Sequence, residues 1–233
     1  CCGVGNLEVK HSNHRNIFMS TLDQADIDVM KASKTCVAAT RFQYDYLNDD
    51  ITADGKIDYS LTEKLPLELR QAISARKKIL ILINPPYAEV GTGADSGNKA
   101  GVANTKVANH LMHDYGKASN ELFTQFVARI AQEIPQATIA MFSKLKYINA
   151  PNFEKFRHTW SAKYLDRFIV HSKAFDGLKG NFPIGFLIWK TDQTLKNKWT
   201  IDTVTTEILD KKALPIGEKS FYHLPNSSYL NVW

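Results

Sequence analysis

The stretch Ile79-Leu80-Ile81-Leu82-Ile83 runs directly into Asn84-Pro85-Pro86-Tyr87, and this junction decides the fold. Such an unbroken aliphatic run is typical of a strand that is buried on both faces of a sheet. Asn and Pro immediately after the run mark a turn at its carboxyl end. We therefore predict an α/β fold in which the tetrapeptide Asn84 to Tyr87 forms a polar loop at the carboxyl edge of a sheet.

The rest of the chain alternates apolar segments with helix-like segments, which indicates strands joined by crossover helices. We predict strands at residues 16–22, 36–41, 79–84, 137–143, 166–171 and 184–190. We predict helices at residues 24–33, 61–75, 119–133 and 151–163. The glycines of residues 177–181 predict a turn between the last two strands.

The polar loop has the groups needed to activate a planar amine, such as the exocyclic amine of adenine. The side-chain carbonyl of Asn84 and the backbone carbonyl of Pro85 can each accept one amine hydrogen, which would aim the nitrogen lone pair at a methyl donor. Pro85 and Pro86 stiffen the loop, and Tyr87 offers a flat face for a purine. The alternatives are an ordinary Asn-Pro turn and a Pro-Pro-Tyr ligand for a peptide-binding module.

Three further segments carry candidate binding residues. Gly3, Gly5 and Asn6 fit a glycine-rich turn that leaves a strand and enters a helix, where backbone amides can approach a ligand; a flexible chain end explains them equally well. Asp23 ends the second apolar segment, where a carboxylate can receive ribose hydroxyls or cap a helix. Asp45 could accept from an adenine amine while Tyr46 packs on the ring, or the pair could be a surface acid beside a core tyrosine.

Taken in order, these motifs resemble the catalytic domain of the N6-adenine DNA methyltransferases of restriction-modification systems. The segment from Gly3 to Asn6 is similar to the family's first motif, which binds S-adenosylmethionine, and Asp45-Tyr46-Leu47 is similar to its third. Asn84 to Tyr87 matches the catalytic fourth motif. The resemblance extends from residue 1 to about residue 190.

Two aromatic positions extend the resemblance. Phe123, in Glu121-Leu122-Phe123 ahead of Phe126, resembles the fifth motif, which borders the adenine of the cofactor. Phe175 precedes Pro183 to Trp189 and resembles the eighth motif, where an aromatic ring packs against a flipped base.

The resemblance implies a Rossmann-like S-adenosylmethionine-dependent methyltransferase fold, with a mostly parallel sheet and an antiparallel hairpin at its edge. It implies S-adenosylmethionine as the cofactor, DNA as the partner with a specificity or restriction subunit or domain beside it, and no metal. The implied catalytic residues are Asn84, Pro85, Pro86 and Tyr87, and the implied base-binding residues are Tyr87 and Phe175. The implied cofactor residues are Gly3, Gly5, Asn6, Asp23, Asp45, Tyr46 and Phe123.

Two departures from the family pattern shape the expected domain organisation. The family's first motif opens with a strand and an acid upstream of the glycine turn, whereas this chain begins at Cys1. We therefore expect residues 1–190 to be an N-terminally truncated catalytic domain whose sheet lacks a central strand and whose cofactor pocket lacks one wall. We expect residues 191–233 to be an extension that leads to a missing target-recognition region. Thr21 stands where the family usually has an acid.

Composition agrees with one large α/β domain. The chain has 233 residues, 44% of them hydrophobic, and no apolar run near the ~20 residues that cross a bilayer. A net charge of +5 mildly favours a polyanionic partner. Three cysteines form neither a disulfide framework nor a zinc spacing. His110 and His113 have no third metal ligand near them in sequence. We expect a bacterial cytoplasmic location.

Two basic clusters could contact phosphates or could simply be solvated helix faces. They are Arg70, Arg76, Lys77 and Lys78 before the catalytic strand, and Lys144 with Lys146 after another strand. The long stretch between Tyr87 and Ser119 is predicted to be a lid over substrate, with disorder as the alternative.

Other functions stay open at this point. The same tetrapeptide occurs in methyltransferases that act on protein glutamine or on RNA guanine amines. A non-catalytic fragment that docks to DNA or to a partner subunit is the alternative from another class.

Overall fold

The computed structural model describes residues 2–10, 12–86, 100–175 and 180–223. Its strands are β1 (Phe18–Thr21), β2 (Thr40–Gln43), β3 (Leu80–Ile83), β4 (Thr138–Ser143), β5 (Ala162–His171), β6 (Pro183–Thr191), β7 (Thr203–Leu209) and β8 (Pro215–Tyr222). Its α-helices are α1 (Gln24–Ala32), α2 (Leu67–Ser74), α3 (Ala100–Ala103), α4 (Lys106–His110), α5 (Leu122–Glu133), α6 (Lys146–Asn149) and α7 (Glu154–Thr159). Short 3-10 helices lie at His14–Asn16, His113–Asn120, Pro151–Phe153 and Ser172–Ala174.

The strands form two sheets. β1 and β2 make a parallel pair, and the other six strands make a sheet with the order β3-β4-β6-β5-β7-β8. In the larger sheet, β3 is parallel to β4 and β5 is parallel to β7, whereas the other neighbours are antiparallel. The α/β class is confirmed, and the larger sheet is mixed. The predicted β5–β6 hairpin is present, but it lies inside the sheet because β7 and β8 add strands beyond β5.

The main core lies on one face of the larger sheet. Alternate residues of β4 and β6, such as Ile139 and Leu187, point to that face and pack with α5 and the helices after β4. Ten of the twelve residues of α5 are buried. The opposite face carries Leu82, Phe142 and Phe186, which are only partly buried. One face of this sheet is therefore covered by helices and the other is open.

A gap separates the two sheets. Within the four described ranges, β1 is paired only with β2 at one edge, and β3 is paired only with β4. Neither strand has a neighbour on its other side among these residues. Among the described residues, no hydrogen-bonded strand therefore joins the two sheets.

Several predicted boundaries shift for local reasons. The helix predicted from residue 61 begins at Leu67, because Pro66 disfavours helical geometry in the residue before it. The helix predicted at 151–163 is a 3-10 turn followed by α7, and β5 already begins at Ala162.

The prediction of a lid between Tyr87 and Ser119 is wrong for its second half, from residue 100 onward. There, α3, α4 and the 3-10 helix bring Val107 and Ala118 into the main core. Residues 87–99, which make up the rest of the predicted lid, lie outside the described residues.

The C-terminal part of the chain contains two strands that the sequence patterns did not predict. β7 pairs with the carboxyl half of β5, with Phe168 opposite Glu207. Val204 of β7 is fully buried in the main core. The extension expected from residue 191 thus continues the same sheet at least as far as residue 222. In the part of the chain that is described, no helix combines the length and apolarity needed to span a bilayer.

Candidate functional site

The loop after β3 presents its asparagine outward. Ile83 is buried at the end of the strand, Asn84 is exposed, Pro85 is buried and Pro86 is exposed. Ile83 is in register with Met141 of β4, so Asn84 follows level with Phe142. The buried Pro85 anchors the loop beside the exposed Asn84. Tyr87, the fourth predicted catalytic residue, lies outside the described residues.

A large cleft with a volume of about 1350 Å³ adjoins this loop. Both sheets line it, together with α2 and α5. Its walls are mainly apolar and aromatic, with contributions from Phe18, Phe42, Leu82, Tyr46, Phe126 and Glu133. β3 therefore forms one side of the cleft along its whole length.

Tyr46 is a fixed part of the cleft wall. Its ring stacks on Phe126 with centroids 5.8 Å apart and planes at 11°, and its hydroxyl donates to Glu133 Oε2 at 2.6 Å. The Arg129 guanidinium lies 4.4 Å from the ring centroid. Burial, and secondarily the negative charge of Glu133, raises the pKa of Tyr46 well above its usual value. The hydroxyl is therefore a neutral hydrogen-bond donor.

Arg129 ties the loop after β2 to α5. It is fully buried, and its Nη1 donates to the carbonyls of Tyr46 and Asp49, the latter at 2.9 Å. Its Nη2 donates to the Tyr44 hydroxyl at 2.7 Å, and its Nε lies 3.6 Å from Glu133 Oε2. Sequence analysis missed this pair. The available signal was an i,i+4 charge pair inside an otherwise apolar helical stripe.

Asp45 closes its own turn. Its Oδ1 accepts from the Leu47 backbone N–H at 3.1 Å, and its Oδ2 accepts from Asn48 Nδ2 at 2.9 Å. Asp45 and Tyr46 are thus neighbours with different surroundings: Tyr46 lines the cleft, while both carboxylate oxygens of Asp45 are engaged within residues 45–48.

The glycine turn lies beside β1, and residues 3–10 continue as turns rather than as a helix. Gly3 and Gly5 have φ values of 52° and 81°, and residues 3–10 form successive turns. A Cβ on Gly5 would approach the Met19 methyl carbon to 2.7 Å. The prediction of a helix entered from this turn is wrong, because the chain bends again instead, with Glu8 N–H donating to the Gly5 carbonyl at 3.2 Å. Asn6 is exposed.

Asp23 occupies the N-cap position of α1 and is exposed, but its side chain makes no capping hydrogen bond. Two positions earlier, the buried Thr21 hydroxyl donates to Asp26 Oδ2 at 2.6 Å. Asp26 therefore supplies a carboxylate at the position where Thr21 replaces the acid expected from the resemblance. Sequence analysis did not single out Asp26.

The two predicted aromatic contacts differ in outcome. Phe123 is 1% exposed and packs on Tyr147 and Phe153 inside the core. It does not line the cleft, because α5 turns it toward α6 and the 3-10 helix Pro151–Phe153, and Phe126 lines the cleft instead. Phe175 is half-buried and meets Phe142 edge to face at 5.6 Å. It thus lies against the open face of the sheet, next to Phe142 of β4, the strand that neighbours β3.

The two basic clusters lie at different ends of the strands. Lys77 and Lys78 precede β3 and so lie at its amino end, away from Asn84. Lys144 and Lys146 follow β4, at the carboxyl end, where Lys146 Nζ is 2.9 Å from Glu121 Oε1. Only the second cluster adjoins the loop. The described residues contain no group of three His, Cys, Asp or Glu side chains placed to hold a metal ion.

Comparison with known proteins yields structural similarity alone. No protein-family model and no curated protein sequence matches the chain. The ATP-dependent Type ISP restriction-modification enzyme LlaBIII bound to DNA aligns over 82% of this chain with 11% identity and a TM-score of 0.49. The EcoKI M protein of a Type I restriction enzyme aligns over 83% with 13% identity and a TM-score of 0.45. The DrdV–DNA complex aligns over 82% with 13% identity and a TM-score of 0.46.

The chain spans only 14%, 35% and 20% of the lengths of these three proteins, respectively. With TM-scores below 0.5, the similarities establish neither the activity nor the substrate of the chain.

Proposed function

We propose that the chain is part of an adenine-specific DNA methyltransferase that transfers a methyl group from S-adenosylmethionine to adenine N6, as in restriction-modification systems. The observation that carries the proposal is the loop after β3. It contains the exposed Asn84 and the buried Pro85, and it directly follows the strand that lines a cleft of about 1350 Å³.

The chemistry assigned to this loop is orientation of a weakly nucleophilic amine. The side-chain carbonyl of Asn84 and the backbone carbonyl of Pro85 accept the two amine hydrogens, which draws the nitrogen lone pair out of conjugation with the ring. A C–N bond forms as the donor C–S bond breaks, and the amine loses one proton through its hydrogen-bonded acceptor to solvent. Because Pro85 is buried and has no N–H, the loop holds this geometry without reorganising.

The cleft residues fit S-adenosylmethionine. Tyr46 and Phe126 are aromatic walls that suit a purine, and Glu8 lines the same cleft, where its carboxylate suits a positively charged group. When bound, S-adenosylmethionine supplies a methyl group activated by its sulfonium.

We propose that Tyr46, which lines the cleft, contacts the cofactor. Gly3, Gly5, Asn6, Asp23 and Asp45 are kept as proposed contacts on the basis of the motif resemblance, although they are outside the cleft lining. The aromatic contact that Phe123 was expected to make is assigned to Phe126 instead.

A second group of residues is assigned to the DNA. An extruded adenine would be held between Tyr87 and Phe175, and the packing of Phe175 on Phe142 supports its place on the same face as Asn84. Lys144 and Lys146 follow the neighbouring strand at the carboxyl edge, where they suit phosphate contacts, which position a duplex without reading its sequence.

The test is Asn84→Ala, with Asn197→Ala as the matched control. Asn197 is an exposed asparagine in the segment between β6 and β7, and it does not line the cleft. We expect Asn84→Ala to lower methyl transfer to DNA by at least about 100-fold and to leave cofactor affinity, measured by calorimetry, within a few fold. Asn197→Ala should match the parent in both. Equal transfer by the parent and Asn84→Ala would remove the basis of the proposal.

The rival functions are separated by substrate. Parallel assays on DNA, structured RNA and a glutamine-containing protein substrate should give transfer to DNA adenine. Transfer to RNA guanine or to glutamine would assign the same loop to another amine. A parent chain that neither binds S-adenosylmethionine nor transfers methyl groups would favour a non-catalytic binding fragment.

A further inference from the structure

One side of α5 carries three side chains that hold the Tyr46 ring. Phe126, Arg129 and Glu133 follow the i, i+3, i+7 spacing that places residues on the same face of a helix. The Phe126 ring stacks on Tyr46, and the Arg129 guanidinium lies 4.4 Å from its ring centroid. Glu133 Oε2 accepts from its hydroxyl at 2.6 Å. Because α5 is almost entirely buried, the ring is held by a fixed support.

Tyr46 is tethered at its backbone as well as at its hydroxyl. Arg129 Nη1 donates to the Tyr46 carbonyl, while Glu133 accepts from the hydroxyl at the far end of the side chain. The two tethering residues are one helical turn apart, and Arg129 Nε lies 3.6 Å from Glu133 Oε2. A side chain held at both ends loses its freedom to change rotamer. Tyr46 therefore lines the cleft in one orientation.

A second tyrosine fixes the carboxylate that holds the first. The Tyr59 hydroxyl donates to Glu133 Oε1 at 2.7 Å, so each carboxylate oxygen accepts from a different tyrosine. Burial, and secondarily the negative charge of Glu133, raises the pKa of Tyr59 above its usual value. Its hydroxyl is therefore a neutral donor. Tyr59 is not among the described residues that line the cleft, so it reaches the cleft only through Glu133.

A fixed aromatic wall favours the binding of a planar ligand. Stacked and edge-to-face ring contacts depend on the distance and tilt of the two rings, so a wall that moves loses part of the contact. A wall that is already ordered also spares the complex the loss of side-chain freedom that binding would otherwise require. The hydrogen bonds of Glu133 should therefore contribute to ligand affinity as well as to stability.

We propose that Glu133 and Tyr59 are positioning residues for the cofactor. Glu133 fixes the Tyr46 ring as the wall against which the adenine of S-adenosylmethionine lies, and Tyr59 acts through Glu133. This inference rests on the proposed function, because it takes S-adenosylmethionine as the ligand of the cleft. It assigns both residues to cofactor binding and neither to the transfer step. Weakening their contacts should raise the dissociation constant of the cofactor and leave turnover at saturating cofactor near the parent value.

The test is a double-variant cycle on cofactor affinity. The dissociation constant of S-adenosylhomocysteine, which has the same adenosine group, is measured by calorimetry for the parent chain, Tyr46→Phe, Tyr59→Phe and the double variant. Tyr164→Phe is the matched control, because Tyr164 is a partly buried tyrosine outside the cleft lining. Glu133→Gln tests the same contact from its other side. The tyrosine variants leave the Arg129–Glu133 pair intact, so they decide the question if Glu133→Gln does not fold.

We expect Tyr46→Phe and Tyr59→Phe each to raise the dissociation constant by about threefold to tenfold, and Glu133→Gln to raise it at least as much. The double variant should bind as Tyr46→Phe does, because Tyr59 acts through the Tyr46 hydroxyl. Tyr164→Phe should match the parent. Turnover of Tyr59→Phe at saturating cofactor should stay within about twofold of the parent value.

Three outcomes would overturn the inference. If the parent chain binds S-adenosylhomocysteine and Tyr59→Phe binds it equally well, this inference alone fails. Additive effects in the double variant would also refute it, because the two tyrosines would then act independently. A parent chain without affinity for S-adenosylhomocysteine would overturn the proposed function and this inference together.

Discussion

Two neighbouring strands of the larger sheet show how unevenly this chain is packed. β4 has four of its six residues buried, whereas β3, a wholly aliphatic strand beside it, has only one of four buried. The helices show the same contrast, since α5 is almost entirely buried and α2 has no buried residue. Hydrophobic sequence is thus not sufficient for burial. β4 is covered because α5 and β6 pack against it, and β3 borders an open cleft.

The largest expected effect on stability is at the buried ion pair of Arg129 and Glu133, which ties the loop after β2 to α5. Arg129→Leu removes the donors to the carbonyls of Tyr46 and Asp49 and leaves Glu133 buried without its cation. We expect a loss of about 3–5 kcal/mol in the free energy of unfolding, measured by urea denaturation. The double variant Arg129→Leu/Glu133→Leu should lose less than the single one. A loss of stability below about 1 kcal/mol in the Arg129→Leu variant would contradict this expectation, because losses of that size are typical of solvent-exposed ion pairs.

A matched pair of leucines tests the packing contrast itself. Leu187 of β6 is fully buried and Leu80 of β3 is 64% exposed. Leu187→Ala should cost about 2–5 kcal/mol because it leaves a cavity, and Leu80→Ala should stay within about 0.5 kcal/mol. Both are measured by urea denaturation. Similar losses at the two positions would show that β3 is packed as tightly as β6 in solution.

The glycine turn beside β1 gives a smaller effect. At Gly5, an added Cβ would meet the Met19 methyl carbon at 2.7 Å, whereas at Gly3 nothing lies within 4 Å. Both residues have positive φ, so Gly3→Ala controls for backbone strain alone. Gly5→Ala should destabilise by about 1–3 kcal/mol and by more than Gly3→Ala, measured as a thermal midpoint and a urea midpoint. Equal effects would remove the steric argument.

The smallest effect is a single hydrogen bond in the cleft wall. Tyr46→Phe removes the donor to Glu133 but keeps the ring that stacks on Phe126. We expect a loss of about 1 kcal/mol. Tyr164→Phe is the comparison, because its hydroxyl reaches the Arg167 carbonyl only at 3.4 Å, and it should change stability less. A larger loss of stability in Tyr164→Phe than in Tyr46→Phe would indicate that the Tyr46 hydroxyl is hydrogen-bonded to water rather than to Glu133.

Local sequence patterns predicted the presence of the first six strands from short apolar runs, but β2 lies at Thr40–Gln43 rather than at 36–41, because the polar segment TRFQ pairs with β1. β7 and β8 were missed since Thr203–Leu209 and Pro215–Tyr222 mix polar and apolar residues and become strands by pairing with β5 and with each other. Such mixed segments can be predicted as strands only when the neighbouring strand is known.

The candidate site was predictable in part for a similar reason. The loop from Asn84 to Pro86 is encoded locally, by an apolar run followed by Asn and two prolines. Phe126 rather than Phe123 lines the cleft because the rotation of α5 about its axis is set by tertiary packing, which helical spacing alone does not fix. The Arg129 contacts with Tyr44, Tyr46 and Asp49 join residues about 80 positions apart in the chain, so no local pattern could show them.

The most direct measurement for the central proposal is the identity of the methylated product. DNA incubated with the chain and S-adenosylmethionine is digested to nucleosides, and the methylated nucleosides are identified and quantified by mass spectrometry. The predicted result is N6-methyladenosine in its deoxy form, with the signal lost in Asn84→Ala and retained in Asn197→Ala. Unmodified adenine with the parent chain, or the same signal from Asn84→Ala, would contradict the proposed role of the loop after β3.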